Sequence, residues 1–284
     1  MTSSAKEDII SYYDHCVSDY RLFWNLDRSF AMHAGYWDNT TKTLADALER
    51  ENEILAELVN ITSNDKVLDA GCGVGGSSLF LSRRYGCDTT GITISAKQVE
   101  MATLQAKNAS LSCPPKFYVM DFTQTSFADE SFDVIWGIES ICHAENKAAF
   151  IKEAFRLLKP FGRLVVADGF QLNKNLQQND ASNMTVWLKG WGVSSLETVE
   201  IFQRELSAAG FQDINYRDIT LNVMRSSKRL YWISFPALAM SKIGEWFGVR
   251  SKIQTDNIWA AYYQYLTLKK NLWQYGIFTA KKSG

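Results

Sequence analysis

Apolar positions recur along this chain with two periods, and the changes between them mark out its elements. From about Ala5 to Phe30, Ile9, Ile10, Tyr13, Cys16, Val17, Tyr20, Phe23 and Trp24 fall at helical spacing, which predicts one or two helices. Thr43 to Val59 carries Leu44, Leu48, Leu55 and Leu58 on one stripe and acids on the other face, an amphipathic helix. Short apolar runs then alternate with helical ones: a strand through Val67 and Leu68, a helix over Ser77–Tyr85, a strand over Cys87–Ile94, and a helix from its expected N-cap Ser95 to Asn108. A strand at Lys116–Phe122, another over Ser131–Ser140, a helix at Ala148–Leu158 and a strand at Leu164–Asp168 follow. This repetition predicts a doubly wound, parallel α/β sheet. Pro160 is expected to end the last of these helices and Gly162 to permit the turn after it. Beyond it, Asn173–Ser195 reads as a loop or lid, Glu197–Ala209 as a helix stopped by Gly210, and Phe211–Ile219 as a strand. Two helical stretches, Ser226–Phe247 and Asp256–Trp273, precede a last strand, Tyr275–Lys281.

The first strand runs into KVLDAGCGVGGSSLFL, Lys66 to Leu81. Gly71, Gly73, Gly75 and Gly76 lack the Cβ atoms that would hold a ligand off the backbone, and the following helix offers its N–H groups to a carboxylate or phosphate. Gly71, Gly73 and Gly76 also spell the G-x-G-x-x-G of a dinucleotide turn, which needs an acid about 20 residues on for the ribose. Gly91-Ile92-Thr93-Ile94-Ser95 stands there instead. Together VLDAGCGVGG and GITISAKQ resemble the class I S-adenosylmethionine (SAM)-dependent methyltransferases, in particular the group containing sterol and tocopherol C-methyltransferases and cyclopropane fatty acid synthases. In that group a G-x-T-x-S-x-x-Q segment replaces the acid, and Thr93, Ile94 and Gln98 match it.

The resemblance covers about residues 9 to 170. It implies a Rossmann-like core over 61–284 with N-terminal helices over 1–60 covering the cofactor; the aromatic-rich stretches at about 171–196 and 221–273 read as insertions that form a C-terminal helical cap. SAM would be the methyl donor, S-adenosylhomocysteine (SAH) the product, and Asp69, Gly71, Gly73, Thr93, Ile94, Gln98, Phe122 and Ile138 would bind the cofactor. Asp121 would accept a hydrogen bond from the adenine amino group, with a loop-capping role as the alternative. Tyr12-Tyr13-Asp14 and His33-Ala34-Gly35-Tyr36-Trp37 are similar to the family's YYD and H-x-G-Y-W segments, which sets Tyr13 and Tyr36 near the sulfonium, where aromatic faces attract a desolvated cation. Plain core packing is the other reading of both. ESICHAENK resembles the sterol enzymes' E-A-T-C-H-A, and makes His143 and Glu139 the catalytic candidates. His143 is a base near neutrality or a satisfied loop histidine; Glu139 shares that role, stabilises a cation, or bonds the cofactor-side loop.

At 284 residues and 46% hydrophobic, the chain suffices for one α/β domain with a large cap. Thirty basic against 31 acidic residues give nothing that draws the whole protein to nucleic acid. From Arg217 to Gly284, however, eleven Lys and Arg face three Asp and Glu, which suits an anionic substrate, peripheral contact with a membrane, or a solvated helical face. Arg225-Ser226-Ser227-Lys228-Arg229 would suit a diphosphate or an anionic surface. Five cysteines without C-x-x-C and three histidines argue against a zinc site and a disulfide framework, and for a reducing, cytoplasmic setting. The N-terminus carries no signal or transit pattern. Six of nine tryptophans fall in the last third and suggest a cap around an apolar acceptor. The expectation is a monomeric or homodimeric methyltransferase of a hydrophobic small molecule, first by C-methylation of an isoprenoid (sterol, prenylated phenol or prenyl diphosphate). O- or N-methylation of an aromatic or alkaloid-like natural product comes second. A nicotinamide oxidoreductase and a non-catalytic SAM-binding regulator are the readings from other classes.

Overall fold

In the computed structural model, residues 7, 9–13, 15–16, 30–172 and 175–284 are described. The expected positions Val17, Tyr20, Phe23 and Trp24 lie outside them, whereas residues 9–13 are helical. Seven strands, β1 (Lys66–Ala70), β2 (Asp88–Thr93), β3 (Lys116–Val119), β4 (Phe132–Ile138), β5 (Leu158–Gln171), β6 (Phe211–Asp218) and β7 (Trp273–Lys282), form one sheet in the order β3-β2-β1-β4-β5-β7-β6. The first five pair in parallel, and β7 runs antiparallel to both β5 and β6. The strand order reverses between β1 and β4, so the ligand crevice lies outside their carboxyl ends.

The helices are α1 (Leu44–Leu58), α2 (Gly76–Tyr85), α3 (Ala96–Asn108), α4 (Lys147–Leu157), α5 (Gln178–Gly190), α6 (Val199–Ala209), α7 (Thr220–Trp246) and α8 (Lys252–Lys269). Alternation along the strands sends side chains to two separate cores. Val67, Val134 and Val165 face one with Leu55, Trp187 and Trp273. Leu68, Ile135 and Leu164 face the other with Phe150 and Ile151 of α4 and Phe202 of α6. Ser95 caps α3 by accepting from the Gln98 N–H, and Gly210 ends α6 at φ 100°, both as the sequence predicts.

Four expectations change. Residues 178–190 are a helix and not a loop: Met184, Trp187 and Gly190 make a buried face at i+3 spacing behind a polar start. Gly190 is its close-contact point, because a Cβ there would lie 2.6 Å from the Asp256 carbonyl of α8. At the entry to β5, Phe161 takes the left-handed conformation (φ 62°), not Gly162. Gly162 serves close approach instead, its missing Cβ leaving room for the Lys159 carbonyl 2.8 Å away, and the β4–β5 register shifts there. On α1, Glu51 sits in the buried stripe with Leu48 and Leu55, while Leu58 is 40% exposed. Finally, α7 begins six residues before the expected Ser226 and continues through Pro236. That proline removes the donor for the Trp232 carbonyl.

Candidate active site

Two adjoining cavities open at the carboxyl edge of the sheet. The first, of about 860 Å³, lies over the β1–α2 loop. Gly71 (φ 85°) and Gly73 (φ 52°) hold backbone that strains any side chain, and a Cβ on Gly71 would stand 2.4 Å from the Cβ of Ser140. Ser140 in turn donates to the Ala70 carbonyl at 2.6 Å, which ties the exit of β4 to the loop. At the end of β2, Thr93 donates to the Gln98 side-chain carbonyl at 2.6 Å, and the Ser95 N–H reaches Thr93 Oγ1 at 3.3 Å. This closed set of bonds fixes a turn that in dinucleotide enzymes would carry an acid.

Of the expected site residues, Tyr13, Asp69, Gly71, Gly73, Thr93, Ile94, Gln98, Phe122, Ile138, Glu139 and His143 line this cavity. Among the described residues that line it are Asp69 and Glu139 but no lysine or arginine. Burial pushes the Asp69 carboxyl up to about 6 against the bonds from Ser78. A crevice with two carboxyl groups on its wall suits a cationic nucleoside, and so fits SAM.

The second cavity, of about 880 Å³, lies under α5, α7 and α8. Trp187, Trp191 and Trp273 line it, together with Asp168, Gln264 and Arg229. Tyr13, Met32, Glu139 and His143 belong to both cavities and form the wall between them.

His143 closes the short 3-10 helix Ile141–His143 that follows β4. Its Nδ1 lies 3.0 Å from the Gly192 carbonyl, which only accepts, so that nitrogen carries the proton. Nε2 therefore accepts from the Tyr13 hydroxyl at 2.9 Å. Burial pulls the imidazole down to about 4, outweighing the Gly192 bond that favours the charged form. At neutral pH it is an uncharged base.

Glu139 sits at φ 46°, with its N–H on the Ala167 carbonyl at 2.8 Å and Oε1 accepting from the Ala34 N–H at 2.7 Å. Burial and then the charge of Glu51 push its carboxyl up to about 8.

Behind this wall lies a group that sequence reasoning missed. Glu51, fully buried, takes His33 Nδ1 at 2.7 Å and the Gly35 N–H at 2.9 Å on one oxygen, and the Tyr275 hydroxyl at 2.9 Å on the other. Burial pulls the His33 pKa down, but the charge and hydrogen bond of Glu51 leave it raised. The signal was present: Glu51 stands three residues after Leu48 and four before Leu55, on the apolar stripe and not opposite it.

Two expected cofactor contacts fall elsewhere. Tyr36 lines neither cavity; it is buried, and its hydroxyl accepts from Arg217 at 3.0 Å. Chain geometry explains this, since the Tyr36 N–H is pinned to the Ala47 carbonyl of α1 at 2.8 Å. Asp121 also lies off the cavity wall, and its Oδ1 accepts from the N–H and hydroxyl of Thr123 at 2.8 and 2.7 Å, the loop-capping alternative. Trp232 and Trp246, expected in the cap's lining, are 61% and 83% exposed.

Known proteins resemble this chain in sequence and in fold. Residues 68–166 match a family described as a methyltransferase domain. The chain is 31% identical to 27-O-demethylrifamycin SV methyltransferase of Amycolatopsis mediterranei, over 78% of this chain and 79% of that one. Tocopherol O-methyltransferase of Arabidopsis thaliana is 28% identical over 99% of this chain and 83% of its own length. Among solved structures, a cyclopropane synthase of Mycobacterium tuberculosis superposes with a TM-score of 0.80 at 19% identity, covering 98% of each chain. The glycine loop, the Thr93–Gln98 turn and these relationships place the chain in the class I SAM-dependent methyltransferases: it is an enzyme of that family that resembles the sterol and tocopherol methyltransferases, with SAM as its methyl donor.

Proposed function

We propose that this enzyme methylates a carbon of a hydrophobic isoprenoid-type acceptor: a sterol, prenylated phenol or prenyl diphosphate. The observation that carries the reading is the shared wall, where Glu139 and a neutral His143 face both the acid-sided crevice and the tryptophan-lined cavity. Asp69, Gly71, Gly73, Thr93, Ile94, Gln98, Phe122 and Ile138 would hold SAM, which supplies an electrophilic methyl on a sulfonium that leaves as a neutral thioether. The protein has then to align the acceptor, exclude water and dispose of a proton.

Attack by an alkene leaves a carbocation, whose adjacent C–H is so acidic that a weak base removes it. A buried imidazole at about 4 is such a base, and the Trp187, Trp191 and Trp273 rings with the Glu139 carboxyl would stabilise the cation until then. Deprotonating a hydroxyl is served better by a base nearer the working pH. One observation favours the second reading, O-methylation: the Tyr13 hydroxyl on His143 Nε2 marks where an acceptor hydroxyl would sit if Tyr13 moved aside. The names of the rifamycin and tocopherol relatives both refer to oxygen.

Incubating the purified enzyme with methyl-labelled SAM and a panel of sterols, prenyl diphosphates and prenylated phenols decides between them. Label on carbon, located by NMR, is the expected result. Label on oxygen rejects carbon transfer and leaves the second reading.

A further inference from the structure

Helix α7 is turned inside out for a helix in water. Beside Val223 and Leu230 it buries four serines: Ser226, which bonds to Trp37 and Ala34, Ser234, and Ser227 and Ser241, which meet α8 at Gln264 and, at 2.5 Å, at Thr255. Outward it shows Trp232, Phe235, Met240, Ile243 and Trp246, exposed by 61, 44, 72, 57 and 83%. At 100° per residue these fall on one face, and Phe247 and Val249 extend that face into the turn before α8. Small and polar residues between helices, with large apolar ones outside, is the arrangement that packs helices where the surroundings are apolar. A helix facing water has the opposite pattern.

The same face continues one and two turns toward the N-terminus as Arg225, Lys228 and Arg229, all exposed. Arg225 lies over the Trp37 ring at 4.1 Å, and among the described residues none of the three meets an acid. Arg229 also lines the second cavity. Farther along, Glu245 and Asp256 are paired with Lys242 and Lys252. An apolar stripe rich in tryptophan with unpaired cations at one end complements an anionic lipid surface, in which the rings enter the headgroup boundary and the cations meet the phosphates.

We infer that the outer face of α7 docks on an anionic membrane, lying along it with the mouth of the second cavity, at Arg229, turned to the lipid. No described helix is long and apolar enough to cross a bilayer, so the contact is interfacial. A second copy of the chain fits less well. A self-complementary interface needs acids on the same patch to meet Arg225, Lys228 and Arg229, and the two acids of this hairpin are already paired.

Co-sedimentation of the whole protein with vesicles tests this without any turnover, so its outcome is independent of which acceptor is methylated. Binding is expected to phosphatidylcholine vesicles doped with phosphatidylglycerol, weakening as salt rises. Pure phosphatidylcholine should bind at least about tenfold less, since each basic residue at the surface adds about 1 kcal/mol. The variant I243S/W246S/F247S should lose about tenfold or more in binding while keeping the wild-type circular dichroism. Lys228→Glu, which leaves the stripe whole, should remove most of the preference for anionic lipid. Wild-type protein that stays in the supernatant with both vesicles overturns the inference. So does a concentration-dependent dimer that the triple variant abolishes, seen without vesicle binding, which would assign the face to a second copy.

Discussion

Replacing Glu139 by Gln tests whether the wall between the cavities reads the charge of the cofactor. With a carboxyl at about 8, Glu139 is roughly nine-tenths protonated at pH 7 and nine-tenths ionised at pH 9. A bound sulfonium favours the carboxylate, so binding SAM at pH 7 must first remove a proton, at a cost of about 1.4 kcal/mol. Affinity for SAM should therefore rise about tenfold between pH 7 and pH 9 and level off above the free-state value. SAH has the same amino acid and nucleoside groups but no charge on sulfur, and the ratio of the two dissociation constants cancels every other titration they share. Calorimetry of both ligands across this range should show the SAM-to-SAH preference growing about tenfold in the wild type and staying flat in Glu139→Gln. A preference that does not change with pH in the wild type, or that changes equally in the variant, refutes the coupling.

His143→Ala should lower turnover by about 10²- to 10⁴-fold, the range for a lost general base, with SAM affinity in calorimetry changed by only a few fold. Because the imidazole is uncharged above about 4, the wild-type rate attributable to it should fall only as the pH drops toward that value, and stopped assays of a pH series would show the limb missing in the variant. Glu51→Ala strands the Gly35 N–H, the Tyr275 hydroxyl and a buried His33, and should cost about 3–5 kcal/mol, seen as a fall in Tm of roughly 10 °C. The raised His33 pKa makes its contribution to stability complete below its ordinary 6.5 and lost as pH rises through the raised value, so the variant's deficit in Tm should be larger at pH 6 than at pH 9. Gly71→Ala places a Cβ 2.4 Å from that of Ser140 at a φ of 85°, and should weaken SAM binding by more than about tenfold, at a cost of about 1–3 kcal/mol for the strained backbone.

Local patterns carried most of the fold. The glycine spacing, the Thr93–Gln98 segment and the alternation of strands and helices all lie within a few residues of one another, and residues 66 to 170 followed them closely. What sequence alone did not reveal depends on contacts between distant segments. Tyr36 carries an aromatic ring in a family-like motif, yet its place is decided by Ala47 and Arg217. Asp121 is satisfied two residues on by Thr123, which local reading allowed but did not select. The helix over 178–190 was hidden by its polar first turns, because its stability comes from Met184 and Trp187 finding α8 and β7. In the cap, tryptophan count said nothing about direction: Trp187 and Trp273 turn inward with their rings 4.3 Å apart, while Trp232 and Trp246 on α7 turn out.

The position of β7 sets an order on how the molecule is made. It is the last strand in the chain but stands inside the sheet, between β5 and β6. Until the ribosome has delivered Trp273–Lys282, β5 has an open edge, β6 has no partner strand, and Trp273 and Tyr275 are missing from the second cavity. The parallel half, β3 to β5 with its glycine loop, is complete more than a hundred residues earlier. A nascent chain therefore acquires the glycine loop and the Thr93–Gln98 turn well before Trp273 and Tyr275, and closure of the sheet coincides with completion of the second cavity.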